Sequence, residues 1–359
     1  VTERDMAGSR SVGRFLRRRG VRRMATVVAG GLVTGLALSA CADIPQPSRP
    51  ELTPYERPAV RSGDAGSFLT NYAESLDQAL GEEPGALEPL QTGPLLERTR
   101  AEMLIAEQTG TTLGASSYTD VVAGGPMFGE YPMWFMAFAT PEGEESDDVE
   151  AMLATRDSAD ADWKVAESVF VPAEAQPTIL ADQQGAVELA PDAHTEAAEA
   201  VVTQASEYLT TGDVPEGAPN FEEAGFKDFR DYVGELGAED TGFSDVGVEC
   251  APYEDLPLED YALATEGGGV SFAESRCTIT VNVPESYFVD LGDEIEAVMT
   301  SDSEGDVITI DVAQPMLITT EGDTASVYSP GWYMLSSETS GGGGDDEAGS
   351  DEGGDDAAE

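Results

Sequence analysis

The sequence predicts an α+β protein made of two successive halves, each opening with helices and closing with antiparallel strands. Three observations carry this. Apolar residues recur at helical spacing at the start of each half, strand-like apolar runs follow in series, and a proline-bearing stretch separates the two series. Helices grouped ahead of strands, without strict alternation, argue against a doubly wound parallel sheet.

The first half, residues 62–171, opens with a helix. Phe68, Leu69, Tyr72, Leu76 and Leu80 fall near 3.6-residue spacing behind a capping Asp64. A second helix follows Gly93-Pro94, with Leu95, Leu96, Met103 and Leu104 among its apolar positions. Strands are expected at 117–122, 133–140, 152–156 and 163–171. In the run 133–140 (MWFMAFAT), alternation sends Met133, Phe135 and Ala137 to one face and Trp134, Met136 and Phe138 to the other. One face should be core, and the other should pack on the second half or line a pocket.

Residues 172–192 hold three prolines and no sustained period, so they are expected to be a linker. The second half, 193–337, repeats the order. A helix is expected over 195–209, with His194 in its first turn as a cap or an exposed side chain. Phe226, Phe229, Tyr232, Val233 and Leu236 mark a short amphipathic helix. Strands are expected at 242–250, 261–265, 270–283, 307–319 and 326–335, with turns at 266–269 and 321–323 and a short helix near 294–299.

Residues 1–40 predict a signal peptide. Six arginines between Arg14 and Arg23 precede an uncharged apolar run, 25–40, which is short for a membrane span. Leu38-Ser39-Ala40-Cys41 then matches the pattern of a bacterial lipobox, in which cleavage leaves Cys41 to carry lipid. The following residues, through 61, are proline-rich and read as an extended tether. Residues 338–359 are glycine-rich and acidic, without an aromatic or branched aliphatic side chain from 340 on, and are expected to be disordered. The predicted location is the extracytoplasmic face of the cell membrane, held by lipid.

Charge excludes some partners. Residues 1–40 hold eight of the 18 basic residues and two of the 70 acidic ones, so the remainder carries ten against 68, a formal charge of −58. Such a surface repels nucleic acid and anionic headgroups alike, and so the lipid on Cys41 is the expected membrane contact. Cys250 and Cys277 form an even pair in an exported chain and are expected to join as a disulfide, worth about 3 kcal/mol; two buried free thiols are the alternative.

No catalytic constellation stands out. His194 is the single histidine, no G-x-S-x-G surrounds a serine, and Gly267-Gly268-Gly269 lacks the lysine of a phosphate loop. The acidic stretches 142–150 and 157–162 do not fit a calcium loop. No metal or cofactor is expected, and no catalytic residue is assigned.

Arg156 to Val165 (RDSADADWKV) resembles a hairpin of nuclear transport factor 2-like and cystatin-like domains, in which a polar turn precedes Trp-Lys-Val. That resemblance implies two cone-shaped domains, at 62–171 and 193–337, each with its helices on a curved antiparallel sheet. With the lipobox and tether, the chain resembles an uncharacterised lipoprotein family of actinobacteria across most of 41–337. The family supplies no catalytic residues. The function expected is noncatalytic binding of a small ligand or an envelope protein. The alternative is an enzyme with a buried carboxylate base in the cone.

Overall fold

A computed structural model describes residues 56–341, apart from 62, 144–147, 239–240, 285–290 and 302–304. The leader, Cys41, the tether up to residue 55 and the tail beyond 341 lie outside the described residues. The fold is mixed α+β with curled antiparallel sheets, as the order of elements predicts.

A two-residue strand, β1 (Arg57–Pro58), precedes helices α1 (Asp64–Ala79) and α2 (Gly93–Thr109). The first sheet holds β2 (Tyr118–Gly124), β4 (Met133–Pro141), β5 (Asp148–Arg156) and β6 (Lys164–Pro172), in the order β2-β4-β5-β6, while β3 (Met127–Phe128) pairs with β1. All of these pairings are antiparallel. The second half has α3 (Asp192–Thr211), α4 (Lys227–Leu236) and α5 (Asp293–Ala297). Its sheet holds β7 (Asp245–Pro252), β8 (Ala262–Ala264), β9 (Gly268–Asn282), β10 (Val307–Glu321), β11 (Thr324–Tyr328) and β12 (Tyr333–Ser340). The long strands β9 and β10 pair along their whole length, with β7 and β8 beyond β9 and β11 and β12 beyond β10.

The run expected at 326–335 is therefore two strands on one edge of β10. Pro330 has no N–H for the ladder, and the chain leaves the sheet there. Gln314 fills the gap, donating from Nε2 to Ser329 Oγ and to the Gly331 carbonyl. The neighbouring turn at 222–226 needs Gly225. Its φ is +95°, and a Cβ there would lie 2.2 Å from the Ser329 carbonyl oxygen.

The alternation in β4 decides how the halves meet. Phe135, Ala137 and Ala139 pack under α1 with Leu69 and Tyr72. Trp134, Met136 and Phe138 face the other way, into a core shared with Leu263, Phe272 and Leu317 of the second half. The face that sequence left open between a pocket and the other half is thus core. A third core lies between α3, α4 and the second sheet, and Ala101 of α2 joins it. Residues 172–192 bond to both halves. Val187 N–H donates to the Gly125 carbonyl, Ala190 N–H to that of Ala262, and Ile179 and Val187 are buried in the shared core.

Candidate functional site

Helix α2 brings polar side chains to the middle of the molecule. Leu95, Arg98, Thr99, Glu102, Ile105 and Ala106 follow at spacings of three and four, which puts them on one helical face. The upper part of that face lies over the helix side of the first sheet. Strand β6 contributes through a bulge. Leu153 pairs with Glu167 and Ala154 with Val165, so Ala166 is the extra residue. Beyond the bulge, Glu167, Val169 and Val171 turn toward the second half, and Ser168 and Phe170 turn toward α2.

Between α1, α2 and this sheet lies a cavity of about 240 Å³. Its walls combine Leu76, Leu95 and Phe170 with Tyr72, Gln91 and Glu150. Glu150 is buried and accepts a 2.7 Å hydrogen bond from Tyr118 Oη and another from Ser168 Oγ. Gln91 donates from Nε2 to Tyr72 Oη at 2.9 Å, while its Oε1 is buried without a hydrogen-bond partner among the described residues. Whichever way the amide is turned, one end of Gln91 lacks a partner. Burial keeps the Tyr72 phenol protonated far above its ordinary range, and burial pushes Tyr333, at the mouth, up to about 12. Both phenols are therefore neutral hydrogen-bonding groups at any physiological pH. Burial also raises Glu102, against the pull of Arg98, toward its neutral form.

Beneath the cavity is a buried charge network. Arg98 is 2% exposed; it pairs with Glu167, donates to the Ser168 carbonyl at 3.1 Å and lies 3.9 Å from Glu274 of β9. Glu274 also pairs with Arg276, whose other arm reaches Glu97 at 2.9 Å. The two guanidiniums stack on Tyr333 and Tyr253, at 4.9 and 4.3 Å from the ring centres. Burial raises Glu167 despite Arg98. Burial, then the neighbouring Glu167, raises Glu274 to about 7, against Arg98 and Arg276. Desolvation thus outweighs pairing for these carboxylates. The network ties α2 and β6 to β9 and forms the floor of the site.

His194 is buried, neither exposed nor a helix cap. Nδ1 lies 2.9 Å from Thr320 Oγ1 and Nε2 3.1 Å from Ser271 Oγ. The space exists because residue 269 is glycine, where a Cβ would come within 2.5 Å of the ring. Burial lowers the imidazole to about 4, so it is neutral and structural. Cys250 and Cys277 stand opposite each other in β7 and β9 and are joined as a disulfide.

Among the described residues no three His, Cys, Asp or Glu side chains are grouped to hold a metal, and no helix is long and apolar enough to cross a membrane. A larger groove, about 790 Å³, runs past Thr265, Thr320 and Thr324. None of its lining residues carries a buried polar atom that lacks a partner. Gln91 and Arg98, which each carry one, line the cavity, and it is the stronger candidate.

Sequence reasoning singled out none of Gln91, Arg98, Glu150, Glu167 or Glu274. A signal existed for three of them. Arg98 interrupts an apolar helical stripe, and Glu167 and Glu274 interrupt the predominantly apolar and hydroxyl-bearing runs of β6 and β9.

No curated protein and no solved structure matches the chain. A family model described as a domain of unknown function, DUF8094, matches residues 56–319, which include α1 to α5, both sheets up to β10, and every residue of the buried charge network. The chain belongs to that family.

Proposed function

We propose that the protein is a noncatalytic cell-envelope lipoprotein, anchored through Cys41, that binds a small uncharged hydroxyl-bearing ligand between α1, α2 and the first sheet. One observation carries the binding role. The cavity combines apolar walls with the neutral phenols of Tyr72 and Tyr333 and with Gln91, a residue 2% exposed that carries an unpartnered amide end. A buried polar group without a partner costs about 1–3 kcal/mol, and a ligand hydroxyl toward which the Gln91 amide turned would recover that. The anchor is supported by the basic leader, its apolar run and Leu38-Ser39-Ala40-Cys41. The two-part organisation of nuclear transport factor 2-like domains belongs to the same proposal.

Glu150 favours a second reading, an enzyme with a carboxylate base, because it is buried in the cavity wall. Both of its oxygens accept hydroxyl hydrogen bonds from its own sheet, which suits an anchor better than a proton acceptor. Two experiments separate the claims. Cys41→Ser should move the protein from a salt-washed membrane fraction to the medium; retention there contradicts the anchor. Methyl β-D-glucoside, a simple probe of the ligand class, should show saturation transfer from the wild-type chain and markedly less from Gln91→Leu. The probe should be recovered unchanged after a day. Equal transfer from both proteins contradicts the binding site, and chemical conversion supports the enzyme.

A further inference from the structure

We propose that this cavity and an apolar groove beside it are two ends of one site, whose occupant is a single-chain amphiphile. Its uncharged, hydroxyl-bearing head sits in the cavity and its alkyl chain lies in the groove. The inference rests on the reading of the cavity as a ligand site. The groove, about 390 Å³, is lined by Ile105, Ala106, Trp332 and Met334, and its far end by Thr109 and Thr111. Glu102, Leu113 and Tyr333 line both spaces, so the two lie side by side.

Helix α2 runs through both. From Glu102 to Thr109 it advances roughly 10 Å at 1.5 Å per residue, which is room for a chain of about eight carbons. The chemistry changes along that path. Gln91, Tyr72 and Arg98 supply polar groups to the head end, whereas Ile105, Ala106, Trp332 and Met334 give the tail end an apolar wall, with Glu294 among the polar residues that edge it. Charge selects against an anionic head. Arg98 is already held by Glu167 and faces Glu274, so its charge is matched, while Glu150 and Glu102 add carboxyl groups at the cavity. The chain as a whole carries a formal charge of −52, which repels anionic amphiphiles at longer range.

The test is calorimetric titration of the full chain with octyl β-D-glucoside below its micelle concentration, methyl β-D-glucoside and octyl sulfate. Each fully buried methylene strengthens binding about fourfold, so even a half-covered chain should favour octyl over methyl glucoside by about 100-fold. Octyl sulfate should bind at least about tenfold more weakly than octyl glucoside. Thr109→Trp places a ring across the groove from an exposed position. It should cut the octyl advantage below about fivefold and leave methyl glucoside unchanged. Thr111→Trp serves the same purpose should the first variant fold poorly by circular dichroism.

Equal binding of the octyl and methyl glucosides overturns the tail assignment and leaves the cavity reading standing. An undiminished octyl advantage in both tryptophan variants does the same. Octyl sulfate binding as tightly as octyl glucoside overturns the uncharged head. No binding of either glucoside to the folded chain overturns this inference together with the reading beneath it.

Discussion

Replacing Glu274 by Gln should stabilise the protein at alkaline pH. Glu274 is 1% exposed, lies between Arg98 and Arg276, and still has its carboxyl raised to about 7. Moving a carboxyl from its ordinary 4.5 to about 7 disfavours the charged form in the folded state by about 3 kcal/mol. The sign follows from proton binding. The folded chain keeps the Glu274 proton to a higher pH than the unfolded chain does. Its stabilising effect is therefore whole below about 4.5 and is lost as the pH rises to about 7. Glutamine retains the neutral, hydrogen-bonding form throughout. The assay is urea unfolding of wild type and Glu274→Gln at half-unit steps from pH 5 to 8.5, clear of the isoelectric point near 4.1. Between pH 5 and 6.5 the difference in unfolding free energy should widen by about 1.4 kcal/mol per pH unit. It should level off near 3 kcal/mol in favour of the variant. A variant no more stable than wild type at pH 8 would show that the two arginines outweigh desolvation, and the reasoning would fail.

Arg98→Met removes the cation shared by two buried carboxylates and should cost about 3–5 kcal/mol at pH 8, less at pH 5.5 where those groups take up protons; urea unfolding at both values checks it. The disulfide closes a separation of 27 residues, so replacing Cys250 and Cys277 together by Ala should cost about 3.5 kcal/mol, and a non-reducing digest should yield the linked peptides. His194, lowered to about 4 by burial, supplies stability that is present above its unfolded value near 6.5 and lost as the pH falls through 4. Its ring ¹⁵N shifts should stay constant from pH 5.5 to 8, and a midpoint near 6.5 would contradict the buried placement. His194 and Glu274 act in opposite directions between about 4.5 and 6.5, which is why the Glu274 effect must be read as a difference between proteins.

Helices and strands were legible where one period dominated. Phe68 to Leu80 and Thr195 to Leu209 carry helical spacing, and each became the body of a helix. Strand β5 was read four residues short because Asp148 and Glu150 look like loop residues, yet Glu150 faces the cavity and bonds there to two hydroxyls. The break between β11 and β12 had a visible cause in Pro330, but the compensating Gln314 lies in another strand. The site was largely illegible. With 70 acidic residues in the chain, composition gave no way to choose Glu150, Glu167 and Glu274. Their selection depends on the extra residue Ala166, which exchanges the faces that Glu167 and Ser168 would otherwise take, and on α2 lying across both halves. Neither is a local property of sequence. His194 was misplaced for a similar reason, because its burial depends on a glycine 75 positions away, Gly269.

The central claim is that the cavity under α1 and α2 receives an uncharged hydroxyl-bearing ligand. The most direct measurement is ¹⁹F NMR of the chain labelled with 3-fluorotyrosine, with Tyr72 and Tyr333 assigned through their Phe variants. Saturating methyl β-D-glucoside should shift the Tyr72 and Tyr333 resonances. Those of Tyr253 and Tyr328, which do not line the cavity, should stay in place. Unmoved Tyr72 and Tyr333 resonances, or shifts confined to the other tyrosines, would contradict the account.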